Sequence, residues 1–214
     1  WRLYSGRPMR LSLTPVFVTL EGPEGSGKST LAMGLARRIQ ATGKEVVLTR
    51  EPGAGVVGQA IRQILLHGAE LTPTCETFLF LADRAQHVSS VVRPALASGA
   101  WVLCDRFSDS TVVYQGYARG GDLEALRRWN EAATGGLRPD LTLLLDLDPA
   151  IGLGRLQNPD RLDREPIEFH MRVREGFLAE AAREPDRWVT IDASQHPEAV
   201  LEATWSAVEA SVAN

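Results

Sequence analysis

The sequence predicts an α/β protein in which a parallel β-sheet is covered by helices. Three observations carry that expectation. Short β-rich runs alternate with longer helical stretches along most of the chain. Five runs qualify as strands, at residues 16–21, 45–49, 101–105, 141–146 and 188–191. Between the first run and a helical pattern that starts at Thr30 stands Gly22-Pro23-Glu24-Gly25-Ser26-Gly27-Lys28-Ser29, a complete G-x-x-x-x-G-K-[ST] phosphate loop.

In chain order, the 16–21 run is apolar and leads straight into that loop. Leu31, Leu35 and Ile39 then recur every four residues, which sets one stripe of a helix against the sheet, and Gly43 stops it. With the 45–49 strand this makes a right-handed βαβ unit. Residues 73–98 read as one long helix carrying Phe78, Leu81 and Val88, with Pro94 either kinking it or opening its last turn. After the 101–105 strand, a helix over 122–134 is begun by an aspartate cap and stopped by Gly135-Gly136. Past the 141–146 strand, Asp146 and Asp148 are expected to cap a helix opening at Pro149. A short arginine-rich loop (155–165), a helix with Phe169, Val173 and Phe177, the last strand and a closing helix from Pro197 complete the chain. No repeat, low-complexity tract or linker separates domains. Residues 16–214 are therefore expected to form one domain, and 1–15 an N-terminal extension in which Met9 is a candidate start.

Composition limits the function. A formal charge of −4 argues against a sequence-independent grip on nucleic acid, which needs a basic face. No apolar stretch reaches the ~18 residues that span a bilayer, and residues 1–15 carry arginines without the apolar centre of a signal peptide. Cys75 and Cys104 are too few for a disulfide framework or a zinc site, so they read as reduced thiols in a cytoplasmic protein. The 23 basic residues include only two lysines, Lys28 and Lys44, so the loop lysine stands out against an arginine background.

The phosphate loop makes the chain a user of nucleoside triphosphate: its N–H groups point inward, Lys28 reaches the β- and γ-phosphates, and the Ser29 hydroxyl suits Mg²⁺. Two strand ends offer a carboxylate for that ion. Asp105 is preferred over Asp146 because Arg106 follows it at once, and two polyanions pressed together require a guanidinium fork. Arg50, in Thr49-Arg50-Glu51-Pro52-Gly53, stands at the carboxyl edge of the sheet, beside the phosphate loop if the two strands are neighbours. None of His67, His87, His170 and His196 falls in a phosphate motif; all read as structural or surface residues, with His87 the nearest to an exception.

Four motifs in order, namely the phosphate loop, Arg50-Glu-Pro-Gly53, Phe80-Leu-Ala-Asp-Arg84 and the segment from Asp105 to Gly120 that includes Tyr114-Gln115-Gly116, closely resemble the thymidylate kinases, which make dTDP from dTMP and ATP. The resemblance runs from about Val16 to the carboxyl terminus. It implies a P-loop nucleoside-monophosphate kinase fold with a five-stranded parallel sheet and a short lid, usually a homodimer, using Mg²⁺ with ATP. Spacing and composition alone reach only a P-loop α/β phosphotransferase.

Carried over by position, the resemblance implies ATP on Gly22 to Thr30 and Arg155, and dTMP on Glu24, Arg50, Phe80, Arg84, Arg106, Thr111, Tyr114 and Gln115. Phe80 would stack on the thymine, Arg84 would donate to a base carbonyl, and Thr111 and Gln115 would be further base contacts. Tyr114 would crowd the sugar 2′ carbon, Glu24 would receive the 3′-OH, and Arg50 and Arg106 would hold the dTMP phosphate. Ser29 and Asp105 would serve the metal. Some relatives place an arginine after the acidic loop residue; Gly25 stands there here, so the positive charge on the transferring group is expected from the lid. Arg161, in Asp160-Arg161-Leu162-Asp163, is the first candidate and Arg155 the second, which leaves Lys28, Arg106 and Arg161 as the catalytic set. Another small acceptor remains the main rival, and the absence of an Asn-Lys-x-Asp motif argues against a guanine-nucleotide switch.

Overall fold

The computed structural model describes residues 15–212. The expected extension, apart from Pro15, lies outside the described residues. Five strands form one all-parallel sheet in the order β2-β3-β1-β4-β5.

Strand β1 (Phe17–Glu21) is buried along its whole length, as a central strand covered on both faces must be. Helix α1 (Lys28–Gln40) begins two residues earlier than expected, because the left-handed Gly27 (φ 90°) turns the loop directly into it. Leu31, Leu35 and Ile39 are buried, each worth roughly 2 kcal/mol of transfer free energy. Strand β2 (Val46–Arg50) is an edge strand. Here the structure corrects the sequence reading: β3 lies between β2 and β1, so Arg50 is in register with Asp105 and is not adjacent to the phosphate-loop strand.

Helix α2 (Gly55–His67) was not anticipated. Helix α3 (Pro73–His87) starts on a Thr72 cap with Pro73 in its first turn. The single helix expected over 73–98 is interrupted by a wide-turn stretch, Val88–Val92, before α4 (Arg93–Ala97). Pro94 explains it: in α geometry its ring would press on the carbonyl of Ser90, and the wider turn makes room. Strand β3 (Trp101–Asp105) runs into a short turn α5 (Ser108–Thr111) and a second wide-turn helix, Val112–Ala118. Helix α6 (Leu123–Thr134) is capped by the Asp122 carboxylate and ended by left-handed Gly135, as expected.

Strand β4 (Leu141–Asp146) precedes α7 (Pro149–Gly154). Asp148 does cap that helix, through the N–H of Ala150, but Asp146 does not: it takes both arms of Arg174, at 2.7 and 2.8 Å. Helix α8 (Ile167–Arg183), β5 (Trp188–Asp192) and α9 (Pro197–Val212) close the fold. One apolar layer joins α1 and α9 to the sheet through Leu35, Ile39 and Val208; on the other face Tyr114 packs with Phe169, Val173 and Phe177. No described helix is long and apolar enough to cross a membrane.

Candidate active site

A cleft of about 240 Å³ opens at the carboxyl ends of the strands. Its walls are the phosphate loop, the turn after β2, helices α2 and α3, the segment after β3, and the 156–163 loop. The crossover topology puts these pieces together, because helices leave β1, β3 and β4 on the same edge.

On the phosphate-loop side Lys28 curls back onto its own loop, with Nζ donating to the carbonyls of Gly22 (3.0 Å) and Pro23 (2.8 Å) and to Ser26 Oγ (3.3 Å). Burial, with Arg106 near, lowers its pKa to about 8 against the opposing pull of Asp105, Glu24 and Glu21. Ser29 Oγ donates to Asp105 Oδ2 at 2.6 Å, so a hydroxyl and a carboxylate from α1 and β3 share one point. No cluster of three or more His, Cys, Asp or Glu groups suited to a metal occurs among the described residues. A hard ion that keeps waters and phosphate oxygens needs no such cluster, and these two oxygen donors suit it.

Gly25 has φ +66°, and a Cβ there would lie 2.0 Å from the Gly152 carbonyl oxygen. The loop is packed against α7, which leaves no space for a side chain at this position. Arg155, just past α7, donates from Nη1 to the Gly25 carbonyl at 3.1 Å. The structure therefore brings Arg155 to the phosphate loop. It does not bring Arg161 there: the Nε of Arg161 donates to the Leu65 carbonyl (2.9 Å) and its Nη2 pairs with Glu76 on α3. Thr30 is exposed on the first turn of α1, outside the cleft lining.

Arg106 and Glu24 face each other across the mouth. Arg106 sits at φ 69°, the one left-handed non-glycine among the described residues. Three bonds hold its backbone: its N–H donates to the Leu20 carbonyl, its carbonyl accepts from Cys104 Sγ, and the following N–H, of Phe107, donates to Glu21 Oε1 at 2.8 Å. Its guanidinium reaches the Gly22 carbonyl (3.0 Å), Ser110 Oγ (3.3 Å) and Glu24 Oε2 (2.8 Å). Tyr114 donates to the same Glu24 oxygen at 2.5 Å, which leaves Oε1 of Glu24 without a protein donor among the described residues. Burial would raise the Glu24 carboxyl, but Arg106, Lys28 and the Tyr114 hydroxyl outweigh it and hold Glu24 below the usual carboxylate range.

Glu21, which steadies Arg106 from beneath, is fully buried, and burial, with Asp109 near, pushes its carboxyl up to about 7. Arg50 is exposed at the end of β2 and lines the cleft. Arg62, on the unanticipated α2, joins it: Nη1 donates to the Pro52 carbonyl at 2.9 Å, and burial, with Arg50 near, lowers its pKa. Sequence reasoning missed Arg62. The apolar Ile61, Leu65 and Leu66 around it were the available signal for a helix carrying an arginine on its inner side.

The deep end is built by Phe80, Arg84, Thr111, Tyr114 and Gln115. Arg84 is 1% exposed and held on every arm: Nε on Glu51 (2.8 Å), Nη1 on Thr111 (2.8 Å) and Asn130 (2.6 Å), Nη2 on the Phe107 carbonyl (3.0 Å). His87 lies behind this network, bonded to Glu51 and Thr49 and away from the cleft lining. All eight residues expected to meet the acceptor thus line one cavity.

A family model described as thymidylate kinase matches residues 20–204. A protein named thymidylate kinase from Synechococcus sp. (strain JA-3-3Ab) is 54% identical over 194 residues, covering 91% of this chain and 95% of that protein. One of the same name from Solidesulfovibrio magneticus is 51% identical, covering 90% and 98%. Among solved structures, the thymidylate kinase from Ehrlichia chaffeensis superposes with a TM-score of 0.77 at 31% identity, covering 92% of this chain and 99% of its own.

Proposed function

We propose that this chain, which belongs to the thymidylate kinase family and so phosphorylates dTMP to dTDP with ATP, does so across the cleft between the phosphate loop and the Arg84 wall. The observation that carries this division is the Arg106–Glu24–Tyr114 contact, which stands between the phosphate loop and the pocket lined by Phe80, Thr111 and Gln115.

Each residue then has a task that its surroundings support. Gly22 to Thr30 receive ATP, with Lys28 leaving its loop carbonyls for the β- and γ-phosphates. Arg50, Arg62 and Arg106 converge on the dTMP phosphate. Phe80 stacks on the base, and Arg84, Thr111 and Gln115 read its edge. Glu24, ionised and with no donor on Oε1 among the described residues, accepts the sugar 3′-OH, while Tyr114, fixed to Oε2, closes the space beside the 2′ carbon. The acceptor phosphate is already an anion, so positioning and charge neutralisation do most of the work and little general base is needed. Ser29 and Asp105 would hold Mg²⁺, which when bound would neutralise part of the triphosphate charge. Arg155, bonded to the phosphate loop at Gly25, serves as the lid cation on the ATP side, and Arg161, bonded to Glu76, fastens the lid to α3.

A homodimer is supported by apolar side chains left exposed on adjoining helices: Val57 and Ile64 on α2, Phe78 on α3, and Trp129 on α6, whose ring lies 5.4 Å from that of Phe78. Two free cysteines suit the reducing cytoplasm, and the formal charge of −4 suits a protein that binds no nucleic acid. The division of the cleft is tested by calorimetry. Phe80→Ala and Arg50→Ala should weaken dTMP at least tenfold and leave ATP affinity within threefold, and Lys28→Ala should do the reverse. Equal losses for both ligands in all three variants would contradict it.

A further inference from the structure

Glu76 takes no part in the chemistry above, yet its carboxylate accepts four hydrogen bonds. It projects from α3, is 1% exposed, and does not line the cleft. Its Oε1 accepts from Gln115 Nε2 (2.9 Å) and Arg119 Nε (2.8 Å); its Oε2 accepts from Arg119 Nη2 (3.2 Å) and from Arg161 Nη2. Burial alone would raise its carboxyl, but the bonds from Gln115, Arg161 and Arg119 outweigh that and hold it below the usual range, so it is ionised at neutral pH.

An ionised carboxylate only accepts, whereas a primary amide has one donating end and one accepting end. The nitrogen of Gln115 is therefore committed to Glu76; reversing the amide would set its oxygen against a charged oxygen. Gln115 is 4% exposed and lines the cleft, and no donor among the described residues bonds its Oε1. The cleft is thus shown an acceptor. Beside it, Arg84 has spent four of its five N–H groups on Glu51, Thr111, Asn130 and the Phe107 carbonyl, which leaves one Nη2 hydrogen as donor.

We propose that Glu76 is a specificity-determining residue that, by holding the Gln115 amide in one orientation, makes the acceptor pocket read the imide edge of a pyrimidine and refuse the cytosine edge. Thymine and uracil offer a C4 carbonyl to the Arg84 donor and an N3–H to the Gln115 acceptor. Cytosine offers an amino group and a bare N3, the wrong partner at both points, and leaves buried polar groups unpaired; sites built this way discriminate by large factors. Free rotation of the amide would remove the mismatch at N3, where its nitrogen could then donate, and leave only the one at Arg84. This inference rests on the dTMP site proposed above.

The test is Glu76→Gln, assayed with dTMP and dCMP. A neutral amide at position 76 has a donating end that can face Gln115, so the ratio of kcat/KM for dTMP over dCMP should fall at least tenfold, chiefly through a lower KM for dCMP. Arg161→Ala cuts the same network on its lid side but keeps Glu76 charged, and should leave that ratio within threefold whatever it does to turnover. A purely structural role would depress both substrates together; a Glu76→Gln ratio within threefold of the parent overturns the proposal. Should that variant fail to fold, calorimetry on the unaltered protein decides, because 5-methyl-dCMP differs from dTMP only at position 4 and N3. It should bind at least 100-fold more weakly than dTMP, and affinities within threefold would overturn the fixed orientation. If the unaltered protein does not phosphorylate dTMP at all, the reading of the site falls first, independently of Glu76.

Discussion

Replacing Arg106 separates what its side chain does from what its backbone costs. The guanidinium makes three hydrogen bonds, one of them the 2.8 Å pair with Glu24, and its charge is the leading influence holding the Glu24 carboxyl down against burial. Arg106→Ala therefore removes a preorganised cation from the acceptor phosphate, where the new bond forms, and lets burial push Glu24 toward its neutral form. Preorganised charge of this kind is worth ~3–4 kcal/mol in the transition state, so turnover should fall on the order of 10²- to 10³-fold. The backbone at φ 69° remains strained in the alanine variant. Arg106→Gly loses the same guanidinium but relaxes that strain, about 1 kcal/mol, which in a chain of this size raises the melting temperature by roughly 2–4 °C over Arg106→Ala. Coupled ADP release measures the first quantity and calorimetric melting the second. Turnover of Arg106→Ala within threefold of the parent would remove Arg106 from the chemistry. A glycine variant no more stable than the alanine variant would refute the account of its backbone.

Three further outcomes follow from the same geometry. Lys28 has a pKa of about 8 without nucleotide, and phosphate oxygens would raise it; ATP binding should therefore take up a proton above pH 8 and weaken as pH rises further. Calorimetry at pH 8.5 in buffers of different ionisation heat reads that uptake, and none at all would contradict the assignment. Glu21 has its carboxyl raised to about 7, so the folded chain keeps a proton that the unfolded chain has lost between pH 4.5 and 7. Its contribution therefore makes unfolding free energy fall as pH rises through that window, by up to ~3 kcal/mol. Denaturant titrations at pH 5 and pH 7 should show this fall in the parent and a smaller one in Glu21→Gln; equal slopes would rule it out. Tyr114→Ala, which clears the space beside Glu24, should raise activity on ribo-configured acceptors relative to deoxy ones, and an unchanged preference would sink the steric role of Tyr114.

The parts legible in the sequence were those with short-range causes. Leu31, Leu35 and Ile39 declare their helix by spacing alone, and all three are buried. The Asp122 and Asp148 caps act on N–H groups two or three residues away. What stayed hidden depends on distant partners. Strand order cannot be read locally, so the sequence leaves open the insertion of β3 between β1 and β2, and with it the pairing of Arg50 with Asp105. Helix α2 escaped because Val56, Val57 and Ile64 face outward, which blurs its amphipathic pattern, and Gly55, Gly58 and Gly68 suggest a loop. A wide turn leaves no mark in a pattern read for 3.6-residue periodicity, so from sequence Val88–Val92 reads as ordinary helix. The buried carboxylates Glu21, Glu51 and Glu76 meet partners 33 to 89 residues away, and a glutamate in sequence looks like surface. Gly25 shows the opposite case: its missing side chain is plain in the sequence, and the structure supplies the reason in the Gly152 carbonyl.

The acceptor is identified by coupled ADP release with saturating Mg·ATP and, in turn, dTMP, dUMP, dCMP, dGMP and thymidine. The account predicts the highest kcat/KM for dTMP, measurable but lower values for dUMP, which has the same imide edge, and at least 100-fold lower values for the other three. A kcat/KM for dCMP, dGMP or thymidine that equals or exceeds that for dTMP would contradict it.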